Sequence, residues 1–117
     1  MIEKSLEMAN KAIELLQDKK AFDIRLIEIA DITSIADYFI IASGSSTTQV
    51  QAMSNELEEK MKDFGYIKKG KEGLRGGRWV LLDYGDIVIH NFHEEERKVY
   101  SLEKIWADGK TTIIENH

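Results

Sequence analysis

The 117-residue chain reads as an α/β or α+β fold, a mixed β-sheet packed by helices. Three observations predict it. Segments of helical period interleave with segments of strand length. One of the strand-like segments is apolar throughout, as in a strand covered on both faces. Eight glycines and no proline leave the turns to glycine and the chain without rigid breaks. Four strands and three helices suit the length, and residues 1–117 are expected to form one domain.

Taken in order, residues 2–19 predict an amphipathic helix with Ile2, Leu6, Ala9, Ile13 and Leu16 on one side. "FDIRLIEIA" then alternates, and its isoleucine and phenylalanine content favours a strand. "DITSIA" connects it to "DYFIIAS", the apolar strand beginning at Asp37. In "GSSTTQVQAMSNELEEKMKDFG", Ser46 and Gln49 form a capping box, each side chain serving a backbone N–H at the helix start. Val50, Met53, Leu57, Met61 and Phe64 make the buried stripe, and Gly65 suits a left-handed stop. "YIKKGKEGLRGG" reads as a basic, glycine-rich loop. After a hairpin, "HEEERKVYSLEKIWADG" has helical spacing through Val99, Leu102 and Ile105 or Trp106, ending near Gly109. "TTII" is a candidate for a short last strand.

Composition bounds the function. Hydrophobic residues at 43% and charged residues at 32% are ordinary for a globular protein. No apolar run approaches the roughly 20 residues of a membrane helix. The first residues lack the apolar core and cleavage site of a secretory signal, so a cytoplasmic protein without membrane contact is expected. With no cysteine there are no disulfides, thiolate nucleophiles or cysteine-ligated zinc. A net charge of −5 disfavours a general nucleic-acid binder. The charge is segregated, however. Lys60 to Arg78 holds seven basic and two acidic residues, whereas Asp83 to Glu103 holds six acidic and two basic. Such a field can steer a charged partner, although a solvated surface has the same composition.

The hairpin "GRWVLLDYGDIVIHNF" carries the most information. With Tyr84-Gly85 as the turn, Asp83 pairs with Asp86, Leu82 with Ile87, Leu81 with Val88, Val80 with Ile89 and Trp79 with His90. Val80, Leu82, Ile87 and Ile89 then share one face, which belongs on the core. Trp79, Leu81, Asp83, Asp86, Val88 and His90 share the other. Two directly opposed carboxylates repel, by on the order of several tenths of a kcal/mol, which stability alone would not select. Either a helix covers this second face, or a partner does, using an aromatic and a leucine rimmed by acids. The pattern leaves both open.

Three segments offer chemistry, and each also has a simpler structural role. "IASGSSTTQ" places Gly-Ser at a strand-to-helix junction, where backbone N–H groups suit a phosphate. It is similar to the Gly-Ser motif of nucleotidyltransferases, and a nucleotide-binding or nucleotidyltransferase-type enzyme is the alternative function. Such enzymes need paired acids on a neighbouring strand to hold magnesium. Asp83 and Asp86 are instead separated by a turn, and no Walker lysine follows the loop. Helix capping is the preferred reading. His90, His93 and Glu94 need not converge on a metal across a strand-to-helix boundary, and early glutamates oppose the helix dipole. The loop Lys68–Arg78 could grip a phosphate backbone, but such loops are commonly just solvated. No motif pairs a serine with a histidine base, so no cofactor, metal or catalytic residue is assigned.

The blocks "DYFIIASGSSTTQVQAMSNELEEKM", "GRWVLLDYGDIVIHNFH" and "EERKVYSLEKIW" occur in an order that closely resembles the Iojap family of ribosomal silencing factors, over roughly residues 5 to 108. "LRGGR" is more glycine-rich than the family pattern, which does not define the tail Asp108–His117. The resemblance implies a mixed sheet, distantly nucleotidyltransferase-like but without the catalytic acids. It implies a non-enzymatic factor that binds the L-fourteen protein of the large ribosomal subunit, blocks subunit joining and represses translation when nutrients are short. Trp79, Leu81, Asp83, Asp86, Val88, His90, Phe92, Arg97 and Tyr100 are the expected partner-binding residues, with the acids facing basic groups. A minor ribosomal RNA contact through Lys68–Arg78 and a homodimer are further candidate associations.

Overall fold

A computed structural model describes residues 2–115, with side chains described from Lys4 to Glu115. The expected apolar contact of Ile2 therefore lies outside the described side chains. The elements are α1 (Ile2–Asp18), β1 (Phe22–Glu28), β2 (Tyr38–Gly44), α2 (Thr47–Asp63), β3 (Gly70–Glu72), β4 (Trp79–Asp83), β5 (Ile87–His93), α3 (Glu94–Tyr100), α4 (Leu102–Ile105) and β6 (Lys110–Ile113). One mixed sheet runs β3-β4-β5-β2-β1-β6. Only β2 and β5 are parallel; the other neighbours are antiparallel.

Two cores sandwich the sheet. On one face Ala9, Ala12 and Leu16 of α1 and Val50, Met53 and Leu57 of α2 pack on Ile24, Ile40, Val80, Leu82, Ile87 and Ile89. The alanines of α1, both fully buried, let that helix lie close to the strands. On the other face Ile27, Ile29, Phe39, Ile41, Val88 and Phe92 meet Leu102, with Trp79, Leu81 and Trp106 partly buried against them. Every residue of β2 is buried, as its apolar run predicts. A fully buried side chain such as Ile40 contributes roughly 1.5–3 kcal/mol relative to exposure.

Ser46 caps α2 by accepting from Gln49 N–H at 3.0 Å, as expected. The return bond differs from a capping box: Gln49 Oε1 accepts from the backbone N–H of Ser45, at 2.6 Å, rather than from that of Ser46. At the other end Gly65 adopts φ +88°. Its N–H reaches the Lys62 carbonyl and that of Tyr66 reaches Met61, closing a Schellman motif.

Several expectations fail for identifiable reasons. The sheet has six strands rather than four, because part of the basic loop pairs with β4 as β3, while the candidate last strand at "TTII" does form, as β6 on β1. Leu6 and Phe64 are exposed, since the buried stripes of α1 and α2 are set by Met8–Ala12–Leu16 and Val50–Leu57–Met61 instead. The last helix is broken at Ser101, whose φ of 29° cannot continue it. The break turns Leu102 inward and leaves Val99 and Ile105 in solvent. The hairpin register is also shifted by two. Tyr84 N–H donates to the Ile87 carbonyl, so the central turn residues are Gly85 and Asp86. Gly85 takes φ +85° at the first of these positions, which a tyrosine there would resist. Asp83 therefore faces Val88 and Leu81 faces His90, and the expected opposition of two aspartates does not exist. A shift by two preserves every face assignment.

Candidate functional site

The mixed face of the hairpin is built on β4 and β5. Alternation buries Val80 and Leu82 completely and leaves Trp79, Leu81 and Asp83 half-exposed on the opposite side. The Trp79 ring stacks on Phe92, its register partner, with centroids 4.8 Å apart. On its other flank lies Tyr100 of α3, at 4.9 Å. The indole N–H donates to His90 Nδ1 at 3.1 Å. Because an indole can only donate, Nδ1 is an acceptor and the imidazole proton sits on Nε2. Burial pushes His90 down to about 4, so it is neutral at physiological pH. His90 in turn meets the edge of Phe39, and Phe39 the edge of Trp106. Trp79 thus links the exposed Tyr100 to the buried members of a continuous aromatic cluster.

A cleft of about 350 Å³ opens beside Trp79 and Leu81, walled by Glu72 and Gly73. Gly73 is required there: at φ +82° a Cβ would lie 2.0 Å from the Trp79 carbonyl oxygen. At the hairpin tip Asp83 Oδ1 accepts from Gly85 N–H at 2.8 Å, while the exposed Asp86 offers its carboxylate to solvent. Its backbone carbonyl accepts from Asp37 N–H at 2.7 Å.

The expected site residues therefore divide. Trp79, Leu81, Asp83, Asp86 and Tyr100 reach the surface. Val88, His90 and Phe92 do not, at 7%, 4% and 0% exposure, because α3, α4 and Trp79 itself cover them. Arg97 is also buried, on a different cleft, bound to Ser43 and Glu103. These four side chains do not reach the surface on which Trp79, Leu81 and Tyr100 open. α3 and α4 cover most of the face, and its Trp79–Leu81–Tyr100 edge stays open. Sequence reasoning missed Phe39 and Trp106. The signal was available, since Phe39 and Ile41 share an alternate phase in β2.

The basic segment is also less free than its composition implies. Glu58 pairs with Lys68 at 2.5 Å and Lys71 at 3.0 Å. Burial alone would raise the Glu58 carboxyl, but hydrogen bonds from the two lysines hold it below the usual range. Arg78 pairs with Glu96, and Gln51 Nε2 donates to the Leu74 and Arg75 carbonyls.

A sequence model of the family described as "Ribosomal silencing factor during starvation" matches residues 2–117. The chain belongs to the RsfS family. The ribosomal silencing factor RsfS of Halalkalibacterium halodurans is 41% identical over 109 residues, 93% of each chain. That of Zymomonas mobilis is 47% identical over 105 residues, covering 88% of this chain and 78% of the relative. A mouse protein named "Mitochondrial assembly of ribosomal large subunit protein 1" is 35% identical over 100 residues, covering 81% of this chain and 43% of its own length. A crystal structure of a Chromobacterium violaceum protein superposes with a TM-score of 0.86 at 35% identity, covering 95% of this chain and 93% of the other. One from Bacillus halodurans gives 0.82 at 38% identity, covering 93% and 99%. Membership of RsfS makes the chain a ribosome-related translational regulator with the mixed sheet of its structural neighbours.

Proposed function

We propose that this RsfS-family chain binds the large ribosomal subunit through its L-fourteen protein, keeps the subunits apart and represses translation under nutrient limitation. The observation that carries the reading is the open edge of the aromatic cluster, Trp79 with Leu81 and Tyr100, held by a rigid buried layer beneath. An aromatic anchor on a preorganised base, rimmed by Asp83 and Asp86, suits an interface hot spot facing basic groups. The name of the mouse relative points to the same subunit. Blockade is then steric, the work of one domain in the cytoplasm without catalysis. Ion pairing of Lys68, Lys71 and Arg78 leaves Lys69 and Arg75 as the loop's candidates for a minor RNA contact.

The test is sedimentation of the pure chain with isolated subunits, beside a subunit-joining assay. Wild type pellets with the large subunit alone and inhibits joining, and Leu81→Glu does neither while keeping its native circular dichroism. Equal pelleting with both subunits, or undiminished binding by Leu81→Glu, overturns the reading. Nucleotide transfer by the pure chain would replace it with the enzymatic one.

A further inference from the structure

A second cleft, of about 390 Å³, lies beyond the carboxyl ends of the parallel strands β2 and β5. Ligands of open α/β sheets bind in that position, and the volume falls within the range of small-molecule sites. Its walls are Ser43 of β2, Phe22 and Asp23 at the bulge of β1, and the α3–α4 corner with Arg97 and Glu103. Trp79, Leu81 and Tyr100 are not part of it.

Arg97 is 5% exposed. Its Nε donates to Glu103 Oε1 at 3.1 Å, and its Nη1 donates to Ser43 Oγ at 2.7 Å and to the Asp23 carbonyl. Its Nη2 has no hydrogen-bond partner; Asp23 Oδ2, 3.7 Å away, is beyond hydrogen-bond reach. Glu103 Oε2 is buried without a partner as well. Ser43 Oγ accepts from Arg97 and keeps its own proton to donate. One wall thus holds an unmet donor and an unmet acceptor, both shut off from water, where native structures rarely leave such groups. Asp23 and Ser101, two of the three non-glycine residues with positive φ among the described residues, at 49° and 29°, also line the cleft.

The rim decides the ligand's charge. Asp23, Glu94 and Glu103 oppose Arg97, Lys98 and Lys104, so a simple anion meets three carboxylates and a simple amine meets three cations. A ligand bearing both charges a few ångströms apart satisfies both sides. We propose that this cleft binds a small zwitterion, an α-amino acid. Its carboxylate takes Arg97 Nη2 and the Ser43 hydroxyl, a guanidinium suiting a carboxylate geometrically. Its ammonium takes Glu103 Oε2 and Glu94, and an apolar side chain lies on Phe22. Binding requires the half-exposed Asp23 carboxylate to swing away from Arg97 Nη2 and the Glu103 carboxylate to turn Oε2 into the cleft.

Titration of the full chain, followed by amide NMR, tests this with L-leucine, N-acetyl-leucine, isoamylamine and inorganic phosphate. Leucine shifts the amides of Asp23, Ser43 and Ser101 with a dissociation constant near ~1 mM, and the other three bind at least about tenfold more weakly. Glu103→Gln and Ser43→Ala each weaken leucine binding several-fold. If Glu103→Gln loses its native spectrum, Ser43→Ala decides. Absence of shifts at ~20 mM leucine, equal binding of phosphate, N-acetyl-leucine or isoamylamine, or unchanged affinity in the decisive variant each overturns the proposal.

Discussion

The indole N–H of Trp79 reaches His90 Nδ1 diagonally, at 3.1 Å, although the ladder pairs Trp79 with Phe92 and Leu81 with His90. The bond ties a half-exposed ring of the aromatic cluster to a buried one. It also commits His90 to the neutral form, since a protonated Nδ1 would point a second donor at the indole.

Stability therefore depends on pH through His90. Its folded value lies near 4, against 6.5 when unperturbed. Both states are neutral above 6.5. Below that, the unfolded chain takes up a proton that the folded chain refuses until about 4. The contribution is complete above 6.5 and is lost as the pH falls toward 4. Between pH 7 and pH 5 the loss is about 2 kcal/mol. His90→Gln, which keeps an acceptor for the indole, should remove this component of the pH dependence. Urea unfolding at the two pH values measures it, and an unchanged difference would refute the assignment.

The tip acids have separable roles. Asp83→Ala loses the bond to Gly85 N–H and should destabilise by about 1 kcal/mol. Asp86→Lys should leave stability within about 0.5 kcal/mol, since Asp86 acts in the fold through its carbonyl. If Asp86 faces a basic partner, the same substitution weakens large-subunit binding, most at low salt. With the two carboxylates no longer opposed across the ladder, Asp86→Asn brings no relief of repulsion. Thermal melts beside pelleting assays at two salt concentrations distinguish these outcomes.

Arg97→Lys should behave as a non-conservative change. The guanidinium binds β1, β2 and α4 at once through Nε and Nη1, a fork that an ammonium cannot reproduce. The expected cost is roughly 2 kcal/mol or more. Hydrogen exchange localises the damage, with α4 losing protection before β2. Equal melting of variant and wild type would show that the network contributes little.

At the start of α2, Ser46→Ala should cost about 1 kcal/mol through the lost cap, while large-subunit binding persists. A loss of binding without a loss of stability would give the Gly-Ser junction a role beyond capping.

The elements legible in the sequence were those whose own residues determine them. The apolar run of β2, the Ser46 cap, the Gly65 stop and the alternation of β4 all needed no distant partner. The hairpin faces survived a wrong turn placement because a slip of two conserves phase. What the sequence concealed depended on the other side of a contact. Phe92 looks like a candidate anchor until Trp79 lies across it, and Arg97 like a surface cation until Ser43 and Glu103 surround it. The break at Ser101 has no glycine or proline to announce it. β3 acquires strand geometry only by pairing with β4.

The parallel seam between β2 and β5 has a consequence for synthesis. β1–β2 and β3–β4–β5 are each joined through local connections, but the seam aligns Tyr38 with Ile87, far apart along the chain. Closing that gap carries the largest loop entropy among the central pairings, which makes it the natural slow step of folding. A nascent chain emerging from the exit tunnel presents the wholly apolar β2 with one edge unpaired until β5 follows it out. Such an edge is a template for aggregation. The interval from the emergence of β2 until the seam closes is when the newborn chain most needs chaperone cover, and substitutions at Ile40 or Ile89, which face each other across the seam, should lengthen it.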